Sequence, residues 1–158
     1  MIRKILLSTL FSLIMLVSTA LASVPESELS IGGIGIGNSG GYVRSVYGNP
    51  DEVKNYNWGA IWRYGSFKVI LEKNKVISLE SRGNNGLSTP AGVSVGMKMS
   101  NAYDLYGKAD YQGSSQTELI RHPAGCDYHY TYNSSNSMLL ILYTKNDVIR
   151  AIEIKQGY

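Results

Sequence analysis

The chain has 158 residues, 15 of them basic and 12 acidic, for a formal charge of +3. Without Arg3 and Lys4, which belong to a leading segment, the 15 fall to 13 against 12. The basic residues are scattered, so the pattern excludes the clustered positive surface that nucleic-acid binding needs. The single cysteine, Cys126, excludes an internal disulfide, and packing has to hold the fold.

In chain order, Arg3 and Lys4 precede an apolar run from Ile5 to Val17 and the small-residue ending Ala20-Leu21-Ala22. That is the layout of a secretory signal peptide, residues 1–22. Ser23 and Val24 stand where a lipid-attachment Cys would follow, so no lipid anchor is expected. No later apolar stretch is long enough to span a bilayer as a helix. The expected destination is periplasmic or extracellular.

The stretch "GGIGIGNSGG", residues 32–41, contains Gly35-x-Gly37-x-x-Gly40, the spacing of a dinucleotide-binding turn. A second stretch argues against that use. "IGIGNSGGYVRSVYGNPD" (34–51) lies over "VSVGMKMSNAYDLYGKAD" (93–110) without gaps, matching Gly37 to Gly96, Tyr47 to Tyr106, Gly48 to Gly107 and Asp51 to Asp110. Gly35 and Gly40 fall on Ser94 and Met99, so the second stretch builds the same element without the motif. No acidic residue follows at the distance that would hold a ribose, and no cofactor is expected. "KNKVI" (73–77) and "KNDVI" (145–149) supply a second match. The reading is two tandem repeats, 31–82 and 93–157, joined by a linker at 83–92, "GNNGLSTPAG".

Tyr42, Val43, Val46 and Tyr47 recur at helical spacing, as do Ala102, Tyr103, Leu105 and Tyr106, and each run stops at a glycine suited to a helix end. Ser100 is the expected cap of the second helix. Gly40 and Gly41 weaken the first by about 1 kcal/mol each, so it should depend on packing. Beyond each helix the period is two. Trp58, Trp62 and Tyr64 share one strand side, and Tyr128, Tyr130 and Tyr132 share another, with His129 and Thr131 opposite. Hairpins should turn at Lys73-Asn74-Lys75 and Lys145-Asn146-Asp147, where asparagine tolerates left-handed backbone. The expected fold is α+β, each repeat being one or two short helices on a three- to four-stranded antiparallel sheet.

"GVSVGMKMSNAYDLYGKAD" and "YGNPDEV" resemble the strand, Gly-Met, helix and GxPD opening of BamE/SmpA-like envelope domains. Two such units in one exported chain are similar in arrangement to the β-lactamase inhibitory protein. The resemblance implies helices against antiparallel sheet and a role in binding proteins. The lipid-attachment Cys of the first family and the disulfides of the second are absent here.

Two groups of side chains are candidate sites. Trp58, Trp62, Tyr64, Tyr128, Tyr130 and Tyr132 either fill the core or pave an open aromatic face. Arg121, His122, Cys126 and His129 form a loop group holding every His and the only Cys. A Cys-His nucleophile or a three-ligand metal site there is disfavoured, because alternation along an extended 126–132 would put Cys126 and His129 on opposite sides. The expectation is a non-enzymatic binding protein with no metal. Its partner would be another envelope or extracellular protein, the alternative being cell-wall glycan stacked on the aromatic face.

Overall fold

A computed structural model describes residues 24–115, 122–123 and 125–157. The expected signal peptide and Arg121 lie outside these residues. Val24 is buried and donates its N–H to Asn133 O; a 3-10 turn at Glu26–Glu28 then leads to a small ribbon, β1 (Ser30–Ile31) with β2 (Ile34–Gly35). Ile31 and Ile34 are buried under it. Among the nucleotide-spaced glycines, Gly37 takes a left-handed turn and donates to Val76 O, and Gly40 begins the helix α1 (Gly40–Tyr47).

Ser39 caps α1 by accepting the Tyr42 N–H at 3.1 Å, and Gly48 ends it at φ +74°. The second helix, α2 (Met99–Tyr106), ends at Gly107 in the same conformation. Its N-cap is Lys98, without a side-chain bond; the expected cap, Ser100, sits inside the first turn. Among the described residues no helix is long and apolar enough to cross a membrane.

Eight further strands follow the two helices: β3 (Glu52–Tyr56), β4 (Gly59–Tyr64), β5 (Phe67–Glu72) and β6 (Lys75–Arg82) after α1, then β7 (Tyr111–Ser114), β8 (Tyr128–Asn133), β9 (Met138–Lys145) and β10 (Val148–Gln156) after α2. The expected turns are present. Lys73 and Asn74 between β5 and β6, and Asn146 and Asp147 between β9 and β10, all have positive φ, as a two-residue type I′ hairpin requires.

The expected fold class is corrected by how these strands join. Among the described residues they form one antiparallel sheet in the order β3-β4-β5-β6-β10-β9-β8-β7, mostly strand with two short helices, and not two tandem repeats each with its own sheet. β6 pairs with β10 from Arg82↔Ala151 to Ser78↔Lys155. The physical reason is the edge. A four-stranded sheet under one eight-residue helix would leave β6 with unpaired backbone groups beside buried Val76 and Leu79. Pairing β6 with β10 satisfies those groups and merges the apolar surfaces. A shared core results on the helix side: Val43 of α1 and Met99, Ala102 and Tyr106 of α2 pack with Trp62, Val69, Leu79, Tyr132, Leu140, Leu142, Ile152 and Ile154.

Residues 83–92 connect the halves. Thr89 is buried with its hydroxyl bonded to that of Tyr106, and Glu28 accepts from both Ala91 N–H (2.8 Å) and the Tyr106 hydroxyl (2.9 Å). Asp51 accepts the Gly65 N–H and Asp110 the Asn133 N–H, tying each helix exit to a strand end distant in sequence.

Candidate functional site

Helices cover one side of the sheet and leave the other open. The alternation that buries Phe67, Val69 and Leu71 turns Lys68 to the open side; the same holds for Glu80 on β6, Glu153 on β10, Ile141 on β9, Thr131 on β8 and Tyr111 on β7. The register sets these residues side by side. Glu52↔Arg63, Arg63↔Lys68, Lys68↔Glu80, Glu80↔Glu153, Glu153↔Ile141, Ile141↔Thr131 and Thr131↔Tyr111 form one row across all eight strands. Its neighbours place Arg82, Ala151, Tyr143 and His129 on one flank and Ser78, Lys155 and Leu139 on the other.

A cavity of about 520 Å³ opens over the middle of this row, lined by Lys68, Glu80, Arg82, Glu153 and Lys155 at one end and Tyr111, Pro123, His129 and Tyr143 at the other. Two carboxylates directly opposite each other on adjacent strands repel. Here cations offset that repulsion: Lys68 and Arg82 Nε both pair with Glu80, which is buried. Glu153 accepts from the Tyr143 hydroxyl at 2.7 Å and has Lys155 Nζ at 3.5 Å. Burial, and then the nearby cation Arg82, pushes the Lys68 ammonium below the usual lysine range, against the pull of Glu153. Burial, and then Glu153, pushes the Tyr143 hydroxyl well above its ordinary value.

The loop group is partly assembled. His122 Nε2 and His129 Nδ1 are 2.9 Å apart, so one ring donates and the other accepts, and His129 is buried. His122 lies edge-on to Tyr143, and Tyr111 lies against His129. The expectation that Cys126 and His129 take opposite sides is corrected. β8 begins only at Tyr128, so alternation does not reach Cys126, which packs with Ile141, Tyr143 and Ala151 on the open side. Burial raises its thiol pKa, leaving the neutral form dominant. Among the described residues no three His, Cys, Asp or Glu side chains converge as metal ligands.

The aromatic stripe is divided. Trp62 (7 % exposed), Tyr130 (8 %) and Tyr132 (0 %) belong to the core on the helix side, and Tyr64 is half-buried against Tyr47. Trp58 and Tyr128, each 45 % exposed, reach solvent. Trp58 stacks on exposed Tyr56, and Tyr56 lines a cleft of about 350 Å³ where the Arg44 guanidinium lies 4.5 Å over Trp62. What sequence reasoning missed is Lys68, Glu80, Arg82, Glu153 and Lys155. Their signal was present: in "FKVILE", "SLESR" and "AIEIK" charges alternate with apolar residues, the mark of a strand with one face buried and one face charged.

No protein-family model and no curated protein sequence matches the chain. Solved structures resemble it in fold. A cysteine-rich secretory protein from Staphylococcus aureus superposes with a TM-score of 0.59 at 11 % identity, over 85 % of this chain and 47 % of that one. An extracellular protein containing an SCP domain, from Bacillus anthracis, gives 0.53 at 12 %, over 77 % and 44 %. A DUF4309 family protein from Bacillus subtilis gives 0.49 at 12 %, over 79 % and 83 %. The chain spans less than half the length of the first two. The fold of the first two neighbours and the single eight-stranded sheet correct the resemblance to tandem BamE/SmpA-like envelope domains, which rested on short glycine-centred motifs. Such motifs mark a strand, a helix and a turn, and many folds use that sequence of elements.

Proposed function

We propose that this chain is an exported, non-enzymatic binding module that holds a segment of another extracellular or envelope protein on the open face of its sheet. The observation that carries the reading is the cavity of about 520 Å³ on that face, whose polar side chains Glu80, His129, Thr131 and Tyr143 are buried and mostly fixed by partners before any ligand arrives. Its volume lies in the range of about 300–1,000 Å³ typical of ligand sites. Groups held in place beforehand lose little entropy on binding. The buried thiol of Cys126 and the mutual bonding of the two histidines favour binding over nucleophilic chemistry. The leading segment, and the extracellular and secretory proteins named among the structural neighbours, support the exported part of the reading.

The test is affinity capture from cross-linked envelope extract with three baits: the unmodified chain, Leu139→Trp, which fills the cavity, and the double variant Trp58→Ala, Tyr128→Ala outside the cavity. Circular dichroism checks the fold of each. A protein held by the first and third baits and lost by the second supports the reading. One lost only from the third bait contradicts it.

A second reading keeps glycan as the ligand, favoured by the exposed Tyr56–Trp58 stack beside the Arg44–Trp62 cleft. Flat aromatic faces suit sugar rings, and Asn55 and Asn74 at the same cleft can hydrogen-bond hydroxyls. Co-sedimentation with purified cell wall that Trp58→Ala abolishes would select it.

A further inference from the structure

We infer that the open face recognises a carboxylate carried next to an apolar side chain on an extended peptide, with Arg82, Lys68 and Lys155 taking the carboxylate and Tyr111, Pro123 and Leu139 the apolar group. The inference rests on the binding reading above and names the chemistry of the ligand.

Charge complementarity is the first support. Three cations, Lys68, Arg82 and Lys155, face two carboxylates, Glu80 and Glu153, at the charged end of the cavity. Farther along the row Arg63 and Lys54 share the single carboxylate of Glu52. Each group carries one positive charge in excess, and a carboxylate from outside offsets it.

The second support is how the cations are held. Glu80, buried, binds Arg82 through Nε, and neither Nη group of Arg82 donates a hydrogen bond to another described residue. Those groups are free to make the parallel hydrogen bonds that match a carboxylate. The Arg82 side chain is 53 % exposed, so the fork meets solvent. Glu153 in turn keeps Lys155 beside the cavity. The two internal carboxylates thus act as positioning groups for cations that have capacity left over. Arg82, Arg63 and Lys155 crowd Lys68 and oppose its charge, and an arriving anion relieves that crowding.

The third support is the other end of the same cavity. Leu139, in register with Lys155, begins an apolar surface that Tyr111 and Pro123 continue away from the cations, and His129 and Tyr143 line the same cavity. A ligand joining an anion to an apolar group within a few residues spans both ends. A compact anion such as phosphate reaches only one.

The probe is a short synthetic peptide, acetyl-Ala-Phe-Glu-Phe-Ala-amide, titrated against the purified chain by backbone-amide NMR at low and high salt. Two companions replace Glu by Gln, one amidated and one with a free C-terminal carboxylate. The Glu peptide should perturb Lys68, Arg82, Leu139 and Tyr111 together. The amidated Gln peptide should bind about tenfold or more weakly, the order expected when a hydrogen bond to a charged group is lost. Recovery by the free-carboxylate Gln peptide would identify a chain terminus, and its failure an acidic side chain, as the source; either outcome supports the carboxylate. Arg82→Gln should abolish the preference for Glu over Gln. Arg82→Lys, which keeps the charge and loses the fork, should retain only part of it. Equal binding of the Glu and amidated Gln peptides overturns the inference while leaving the binding reading intact. Perturbation of the same residues by inorganic phosphate, with no peptide preference, overturns the peptide assignment. If no peptide binds and Leu139→Trp leaves capture unchanged, the binding reading itself fails, and the inference with it.

Discussion

Gly40 and Gly41 stand together at the start of α1 and meet different requirements. A Cβ on Gly40 would come within 2.8 Å of the Trp62 ring and 3.1 Å of Leu71 Cδ2, whereas one on Gly41 would meet only the Ser39 hydroxyl, at 3.8 Å. The glycine that weakens the helix is therefore also what lets the helix reach the sheet. Gly40→Ala should destabilise by about 1–3 kcal/mol through overpacking. Gly41→Ala should stabilise by up to about 1 kcal/mol through helix propensity. Urea denaturation of the two variants checks the opposite signs. Cys126 gives a second residue-scale expectation. Buried, with its thiol pKa raised by that burial, it should react slowly with a thiol reagent in the native protein and promptly in denaturant. Fast native labelling would contradict its burial with Ile141, Tyr143 and Ala151.

The hairpins are where local chemistry decides an element. Asn146 at φ +51° and Asp147 at φ +60° hold the β9–β10 turn in left-handed backbone. Asn146→Val should cost about 1–2 kcal/mol, since a β-branched residue resists that region, while Asp147→Gly should leave stability equal or higher. Thermal midpoints of the two variants test this. The same locality explains what could be read from the sequence. Helix ends at Gly48 and Gly107 and turns at Asn74 and Asn146 depend on neighbours a few residues away, and their patterns stand in the chain. The β6–β10 pairing joins residues such as Glu80 and Glu153, distant in sequence, and only register reveals it. The candidate site was illegible for the same reason. Alternation separated Trp62 and Tyr130 from Arg63 and His129 but did not say which side the helices cover. The aromatics drew attention, though most of them serve the core; the charged side chains opposite them needed the whole sheet to become neighbours. His122 and His129 were singled out from residue type alone, and the fold brings them together.

A single sheet with a shared core makes the whole molecule one cooperative unit. Equilibrium unfolding should be one transition by both far-UV circular dichroism and tyrosine fluorescence, and residues 24–82 expressed alone should fail to fold. Two separated transitions would contradict the continuous sheet. Alkaline stability is a property of the same scale. Burial raises the hydroxyl pKa of Tyr106, Tyr132 and Tyr143 above the ordinary value of 10.0. The folded state thus keeps protons that the unfolded chain releases. The resulting stability is fully present below pH 10 and is lost as pH rises through the folded values, at about 1.4 kcal/mol per pH unit for each tyrosine. Urea midpoints measured at rising pH should fall increasingly steeply from that point. Hydroxyl-radical footprinting of the chain with its captured partner tests whether the ligand sits in the cavity on the sheet face opposite the helices. Tyr111 and Leu139 should be protected, with Trp58 and Tyr128 as reactive as in the free chain; protection of Trp58 and Tyr128 with Tyr111 and Leu139 unchanged would place the ligand elsewhere.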